Sequence, residues 1–346
     1  MSKQVEQVIC AATNSSKTVV ALGMQAGFRV FSMTKFTEIL RVDLEGGVGL
    51  IDMFEYSNLF ALRSASNKTY EDKNKVILYD GKEKKVIAVL SFEINIRSLR
   101  LTKDYLVACG QTRTFLYELD PREITPVVDY WTRGNPEGAC DIVLYKKETF
   151  LAIPVGIEEF EENGIVAVHN LTTEKDPYLI RAFELNVDRI RFDRDVSRIV
   201  AYCHEMLLFR IFEIKTGKLL QSLKRDYSAP LMSIEFTGNN LFLICCDRHS
   251  DNEIYNTYGT EKTDKQQLNV NRRSMFSFMS NFIPSFSNEW SFASKRSTES
   301  CPGISYFSSE SQFCMISFNG QHQKYNFDIL YGGDCFLEEK VTDFIQ

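Results

Sequence analysis

Several things this chain lacks bound what it can be. No apolar run approaches the roughly 20 residues a spanning helix needs, and no basic-then-apolar leader opens the sequence. That points to a cytoplasmic protein. The nine cysteines include no CxxC, and the four histidines, His169, His204, His249 and His322, lie far apart. Structural zinc, which needs closely spaced ligand pairs, is not expected, nor is any other metal or cofactor. An odd number of thiols, most of them inside apolar runs (Cys109, Cys203, Cys245, Cys246, Cys314), suits a reducing compartment in which each is a small hydrophobe. There is no excess of basic charge. With 40 Lys+Arg against 46 Asp+Glu, the net charge of -6 excludes general nucleic-acid binding and strong nonspecific adhesion to acidic membranes. Any anion site must be local and shaped. No P-loop, dinucleotide fingerprint or nucleophile–base pairing occurs, so an enzyme is not expected. The acidic run Glu158-Glu159-Phe160-Glu161-Glu162 reads as a solvated loop.

What the chain has is strand pairs at a recurring interval. Val19–Gly23 precedes Gly27–Phe31, Leu59–Leu62 precedes Asn74–Asp80, and Tyr105–Cys109 precedes Arg113–Tyr117. Phe150–Ile153 precedes Gly164–Val168, and Ile199–Cys203 precedes Leu207–Phe212. Leu241–Cys245 precedes a weaker strand near Glu253–Tyr255, and Gln312–Ile316 precedes Gln321–Tyr325. Each unit is a buried apolar strand, a polar turn and an alternating strand ending in an aromatic. Seven such units predict an all-β, seven-bladed β-propeller of the WD-repeat type, a single domain over residues 1–346. A large β-sandwich is the alternative, but its strands would not recur in ordered sets of four. A monomer is expected.

Two units carry insertions. Ser64–Lys73 is polar and reads as a solvated loop. The longer one, over 259–288, holds the one strong helical periodicity in the chain. After Arg272 and Arg273, the residues Met275, Phe276, Phe278, Met279, Phe282, Ile283 and Phe286 form one apolar stripe of 3.6-residue period, with serines and Asn281 opposite. Pro284 ends such a helix near Ile283. Read from the residues alone, the stripe is either a lid on a core or a foot for a membrane.

Motifs spread along nearly the whole chain resemble those of the PROPPINs, the phosphoinositide-binding propeller family of autophagy that includes the WIPI proteins. Gly27-Phe28-Arg29-Val30-Phe31, Gly46-Gly47-Val48-Gly49 and Asn74-Lys75-Val76-Ile77-Leu78-Tyr79-Asp80 resemble strands of its first two blades. Asn135-Pro136-Glu137-Gly138, Arg210-Ile211-Phe212, Thr216-Gly217-Lys218-Leu219 and Asn288-Glu289-Trp290-Ser291-Phe292-Ala293 continue the likeness. The family's signature F/L-R-R-G falls on Leu223-Lys224-Arg225-Asp226. The resemblance implies that the two basic residues point to opposite sides and each anchors one headgroup, of phosphatidylinositol 3-phosphate or 3,5-bisphosphate. The motif is degenerate. Lys224 offers a point charge where arginine offers a planar fork, and Asp226 sets a carboxylate where the family has glycine. Cys203 and Leu207 stand where the family has blade-5 hydroxyls, so the first site is eroded. Arg225, with His249, Ser250 and nearby Arg248, forms the candidate second site.

The resemblance also implies that the sixth-blade loop inserts into the bilayer. Burying Phe276, Phe278, Phe282 or Phe286 contributes about 1.5 to 3 kcal/mol each before ordering costs, and Arg272 and Arg273 about 1 kcal/mol apiece at an anionic surface. The function so implied is a peripheral propeller on phagophore, endosomal or vacuolar membranes that recruits autophagy proteins, such as a large lipid-transfer protein. The alternative is a protein–protein scaffold of the same fold that has lost phosphoinositide binding. Asn14-Ser15-Ser16 and the Lys68–Lys73 loop are candidate partner contacts under that alternative.

Overall fold

The structure, a computed structural model, describes residues 7–345 apart from 36, 56–57, 66–72, 121, 133, 158–161, 174, 258–289, 299 and 343–344. Its strands form seven sheets, antiparallel and consecutive in sequence except that a two-residue strand, Gly333–Asp334, from between the third and fourth strands of the seventh sheet, pairs in parallel with the sixth. Blade 1 spans residues 8–42, blade 2 48–91, blade 3 96–131, blade 4 141–181, blade 5 189–224, blade 6 231–295 and blade 7 303–341. The chain is a seven-bladed β-propeller, as the recurring strand pairs predict.

Apolar burial peaks one strand out from the axis and falls toward the rim. The second strand of each blade is the most apolar: Val19–Met24, Tyr105–Gly110, Arg198–Cys203 and Phe242–Asp247 are buried almost throughout. Such a strand is covered on both faces, by the blades before and after it. In blade 5, Val200 and Tyr202 face blade 6 while Ile199, Ala201 and Cys203 face blade 4. Outer strands, such as Thr37–Val42, Ile124–Trp131 and Phe336–Val341, are mostly exposed. The core is therefore seven separate apolar clusters, one in each interface between adjacent blades. The thiols of Cys109, Cys203, Cys245 and Cys314 are buried in them, and Cys246 is buried beside them, all unbridged.

Local chemistry repeats with the blades. The turn between first and second strands is tied by one polar side chain: Asn14 in blade 1, Thr102 in blade 3, Asp193 in blade 5 and Thr237 in blade 6 each accept backbone N–H bonds across it. Two motifs distant in sequence meet. Gly27 donates its N–H to Gly46 at 3.0 Å and bridges to Gly47. Gly27 has φ +93°, and a Cβ there would stand 2.0 Å from the Val42 carbonyl oxygen.

The first strands pack around the axis and carry a belt of alternating charge. Arg100 of blade 3 lies 3.8 Å from Asp141 of blade 4, and Arg191 of blade 5 bridges Asp141 and Glu235 of blade 6 at 3.0 Å each. Lys17, from the first turn of blade 1, meets Glu235 at 3.1 Å. Asp52 of blade 2 accepts the Leu101 N–H at 2.6 Å, and burial pushes its carboxyl up to about 6.

The sequence left the mode of closure open. Blade 1 is entirely N-terminal and blade 7 entirely C-terminal, so among the described residues no strand is exchanged between the ends. Blades 1 and 7 are joined by a cluster of Val8, Val20, Leu22, Tyr306, Cys314 and Ile316, with Ile345 packed into it. Arg29 of blade 1, buried, donates to the Ile345 carbonyl.

Candidate functional site at the rim of blades 5 and 6

The degenerate motif ends the outer strand of blade 5, Leu219–Lys224. Leu223 is buried in the blade 5–6 cluster with Tyr202, Phe209 and Tyr255. Strand alternation then puts the next side chain on the opposite face. Lys224 Nζ donates to the Met206 carbonyl of the blade-5 turn at 2.7 Å. Arg225 turns the other way, into blade 6. The two cations thus diverge.

Arg225 is among the largest fully buried side chains of the molecule, with 2% exposure. Its Nε donates to Glu253 Oε2 at 3.0 Å, its Nη1 to Tyr202 Oη at 3.1 Å and the Ala229 carbonyl at 2.7 Å, and its Nη2 to Asp247 Oδ2 at 3.3 Å. Burial opposes its charge, but the surrounding groups, Glu253 and Tyr202 among them, hold its pKa above the usual arginine value. Burial likewise pushes the Tyr202 phenol up to about 12, against the pull of Arg225.

Asp247 is the hub of the neighbouring turn. Its Oδ1 accepts the N–H groups of His249 at 2.9 Å and Asp251 at 3.0 Å, while its carbonyl accepts that of Ser250 at 3.0 Å. Ser250 is buried in the left-handed region at φ +62°, and its hydroxyl donates to the Cys301 carbonyl. Lys295 Nζ reaches the Ser250 carbonyl from below at 3.1 Å. His249 and Arg248 are exposed; the His249 ring shares a hydrogen bond with Ser300. The Arg248 guanidinium forms no ion pair among the described residues.

The structure therefore brings Arg225, Arg248, His249 and Ser250 together around Asp247 and sends Lys224 to the other side of the strand. The donors that an anion needs, an arginine fork and convergent backbone N–H groups, are there. Carboxylates of the chain itself fill them. Asp226 adds to this: its N–H donates to Glu253 Oε1 at 3.1 Å, and its carboxylate takes Arg296 at 3.1 Å. Arg296 also stands 3.5 Å from Glu253 and lies over the Tyr227 ring at 4.0 Å. On the blade-5 side the buried Cys203 carries a thiol and Leu207, at φ +54°, an alkyl group, so neither supplies a hydroxyl.

Asp247, Glu253 and Arg296 were not among the residues singled out from sequence. Glu253 had a signal: it is the one carboxylate within the buried strand Asn252–Asn256, and a buried carboxylate requires a cation. The stripe residues Arg272, Arg273, Met275, Phe276, Phe278, Met279, Phe282, Ile283 and Phe286 lie outside the described residues, as does Lys68–Asp72 of the blade-2 insertion. Asn14 is buried and occupied in its own turn. Among the described residues no group of three or more His, Cys, Asp or Glu is placed to hold a metal.

Comparison with known proteins agrees along the whole length. The family model described as PROPPIN matches residues 7–341. Autophagy-related protein 18e of Arabidopsis thaliana is 24% identical over 98% of this chain and 89% of its own length. Human WD repeat domain phosphoinositide-interacting protein 1 is 21% identical over 95% of this chain and 75% of its own. Against autophagy-related protein 18 of Komagataella pastoris, at 20% identity, the chain spans 56% of the relative's length. Among solved structures, Hsv2 of Kluyvelomyces marxianus superimposes with a TM-score of 0.74 at 13% identity, covering 97% of this chain and 99% of that one. Atg21, in a complex with the coiled-coil of Atg16, does so with a TM-score of 0.76 at 12% identity over the same shares of the two chains. With a family match over nearly its full length and a seven-bladed fold to carry it, this chain belongs to the PROPPIN family.

Proposed function

We propose that this chain is a peripheral membrane propeller of autophagy that meets phosphoinositide-bearing membranes along the rim of blades 5 and 6 and recruits protein machinery there. One observation carries the reading: at the position of the family's signature, Lys224, Arg225, Arg248, His249 and Arg296 gather on one edge of a PROPPIN fold. Arg248 and His249 are the exposed groups that meet a headgroup first, with Lys224 approached from the blade-5 side. The lipids are phosphatidylinositol 3-phosphate or 3,5-bisphosphate, and the role is binding, without a catalytic step. The apolar segment at 275–286 supplies the second anchor, since one headgroup contact alone holds a membrane weakly. The membranes are those of the phagophore, endosome or vacuole, met from the cytoplasmic side. The protein partners are of the autophagy machinery, a coiled-coil subunit or a large lipid-transfer protein. Two similar proteins, one named as phosphoinositide-interacting and the other solved in complex with a coiled-coil, support both halves.

A second reading is favoured by the saturation of Arg225. With its fork on Glu253 and Asp247, this motif ties two blades together, and the chain acts as a scaffold that has lost headgroup binding. Vesicle flotation separates the two. Wild type is expected to float with vesicles containing either phosphoinositide and to sink with vesicles lacking it. The variant Lys224→Thr, Arg248→Ser, His249→Ser is expected to lose flotation while keeping its thermal transition. Failure of wild type to float selects the scaffold, and equal flotation of both proteins moves the headgroup site elsewhere.

A further inference from the structure

The connection between the third and fourth strands of blade 7 builds an exposed apolar knob. It leaves the core at Phe327, which is packed against Phe242 and Phe292. The chain then turns on Asp328, whose Oδ1 accepts the N–H groups of Leu330 at 2.7 Å and Tyr331 at 3.0 Å. Gly332, at φ +67°, donates to the Asp328 carbonyl at 2.9 Å and packs so closely on Phe292 that a Cβ would lie 2.1 Å from its oxygen. Gly333-Asp334 then pairs in parallel with Ala293-Ser294, as a fifth strand of blade 6, before the chain returns as the outer strand of blade 7. The turn is thus held at both ends.

On this fixed frame the large apolar side chains face solvent: Leu330 is 43% exposed, Tyr331 73%, Phe336 66% and Leu337 52%. Apolar groups clustered on and beside a hydrogen-bonded turn mark an interaction site, because little backbone freedom remains to be lost on binding. Their surroundings are acidic. From 328 to 340 the chain has Asp328, Asp334, Glu338 and Glu339, all exposed, against Lys340 alone. Glu338 is paired with Lys324 at 3.2 Å and Asp328 is occupied by the N–H groups of its own turn, which leaves Asp334 and Glu339 as the carboxylates beside the patch that form no ion pair among the described residues.

We propose that this knob is a docking surface for a basic, amphipathic segment of a partner protein that wraps the outer edge of blade 7, its apolar residues covering Tyr331, Phe336 and Leu337 on the two faces of that edge while its lysines or arginines meet Asp334 and Glu339. Charge complementarity decides the class of partner. An anionic bilayer is repelled by these carboxylates, whereas a cationic segment is drawn to them. The surface contains none of the basic residues of the blade 5–6 site and does not depend on headgroup binding there.

The test uses the full-length protein and two labelled designed amphipathic peptides, one of leucine and lysine and its counterpart of leucine and glutamate, read by fluorescence anisotropy. The basic peptide is expected to bind saturably, with affinity falling as salt rises, and the acidic one not to bind. Phe336→Ser with Leu337→Ser, and separately Glu339→Lys, are each expected to weaken the basic peptide about tenfold. These side chains are exposed, so both variants keep the wild-type thermal transition. Equal binding of the two peptides, or unchanged affinity in both variants, overturns the proposal. So does a loss of vesicle flotation in Phe336→Ser with Leu337→Ser, which would make the patch a membrane contact.

Discussion

Arg225 illustrates how a side chain known by its motif is governed by its neighbours. Buried between Glu253 and Asp247, it neutralises two carboxylates that have no route to water. Replacing it with alanine leaves both charges buried and is expected to cost about 3–5 kcal/mol in urea unfolding, whereas Arg248→Ser, at the exposed tip of the same turn, changes stability by less than about 0.5 kcal/mol. Relieving the competition has the opposite consequence for ligands. Glu253→Gln with Asp226→Gly removes one carboxylate from the Arg225 fork and one from Arg296, and inositol phosphate binding, followed by calorimetry, is expected to strengthen relative to wild type. The sequence announced the basic pair but not its saturation, because the partners arrive from another blade more than twenty residues on. His322 makes a residue-scale prediction about pH. Burial first, then Lys324, holds its imidazole down at about 4, beside the Tyr306 hydroxyl at 3.3 Å. The unfolded chain takes up this proton near pH 6.5, so it binds more protons than the folded one between about 6.5 and 4. The histidine's contribution is complete above that window and is lost as pH falls through it. Asp52, raised from 3.8 to about 6, contributes in the opposite sense, its stabilisation fading as pH rises between those values. Melting temperature against pH, taken as the difference between wild type and His322→Gln, is expected to isolate the histidine slope.

At the scale of the strand, the legible part of the sequence was the part that is buried. The paired apolar runs of all seven units are second and third strands, which lie between neighbours in the sheet and between blades on both faces. Even the weak partner near Glu253–Tyr255 is a strand, Asn252–Asn256, whose polar ends are consumed by internal bonds. First and fourth strands were harder to read. The first carry the axial charges Asp52, Arg100, Asp141, Arg191 and Glu235, which break apolar runs, and the fourth face solvent. The parallel pairing of Gly333-Asp334 with blade 6 had no periodicity to announce it, being two residues long. Glycines were better guides. Gly27 sits where the backbone must take a positive φ against Val42, so Gly27→Ala is expected to lose about 1–3 kcal/mol to backbone strain alone, measured as a lowered thermal midpoint.

For the molecule as a whole, closure rests on packing and one buried arginine rather than on a shared strand. Ile345 fills the cluster between blades 1 and 7 while its carbonyl takes Arg29. Ile345→Ala is expected to destabilise the propeller by about 2–5 kcal/mol, read from urea unfolding, whereas truncating an exposed side chain such as Val86 changes little. The core is divided among seven interfaces, so each blade depends on two neighbours and the ring on its weakest junction.

That division has a consequence for the order of the chain. Because the strands of blades 1 to 5 each come from one unbroken stretch, and the ends of the molecule meet at one junction, nothing in these five blades distinguishes the native starting blade from any other. The sequence could begin at blade 4, with the present ends linked, and regain the same seven interfaces. A shared closing strand would forbid this, since moving the ends would split a blade. The belt from Asp52 to Lys17 would be re-formed in the same circular order, whichever blade the ribosome delivers first.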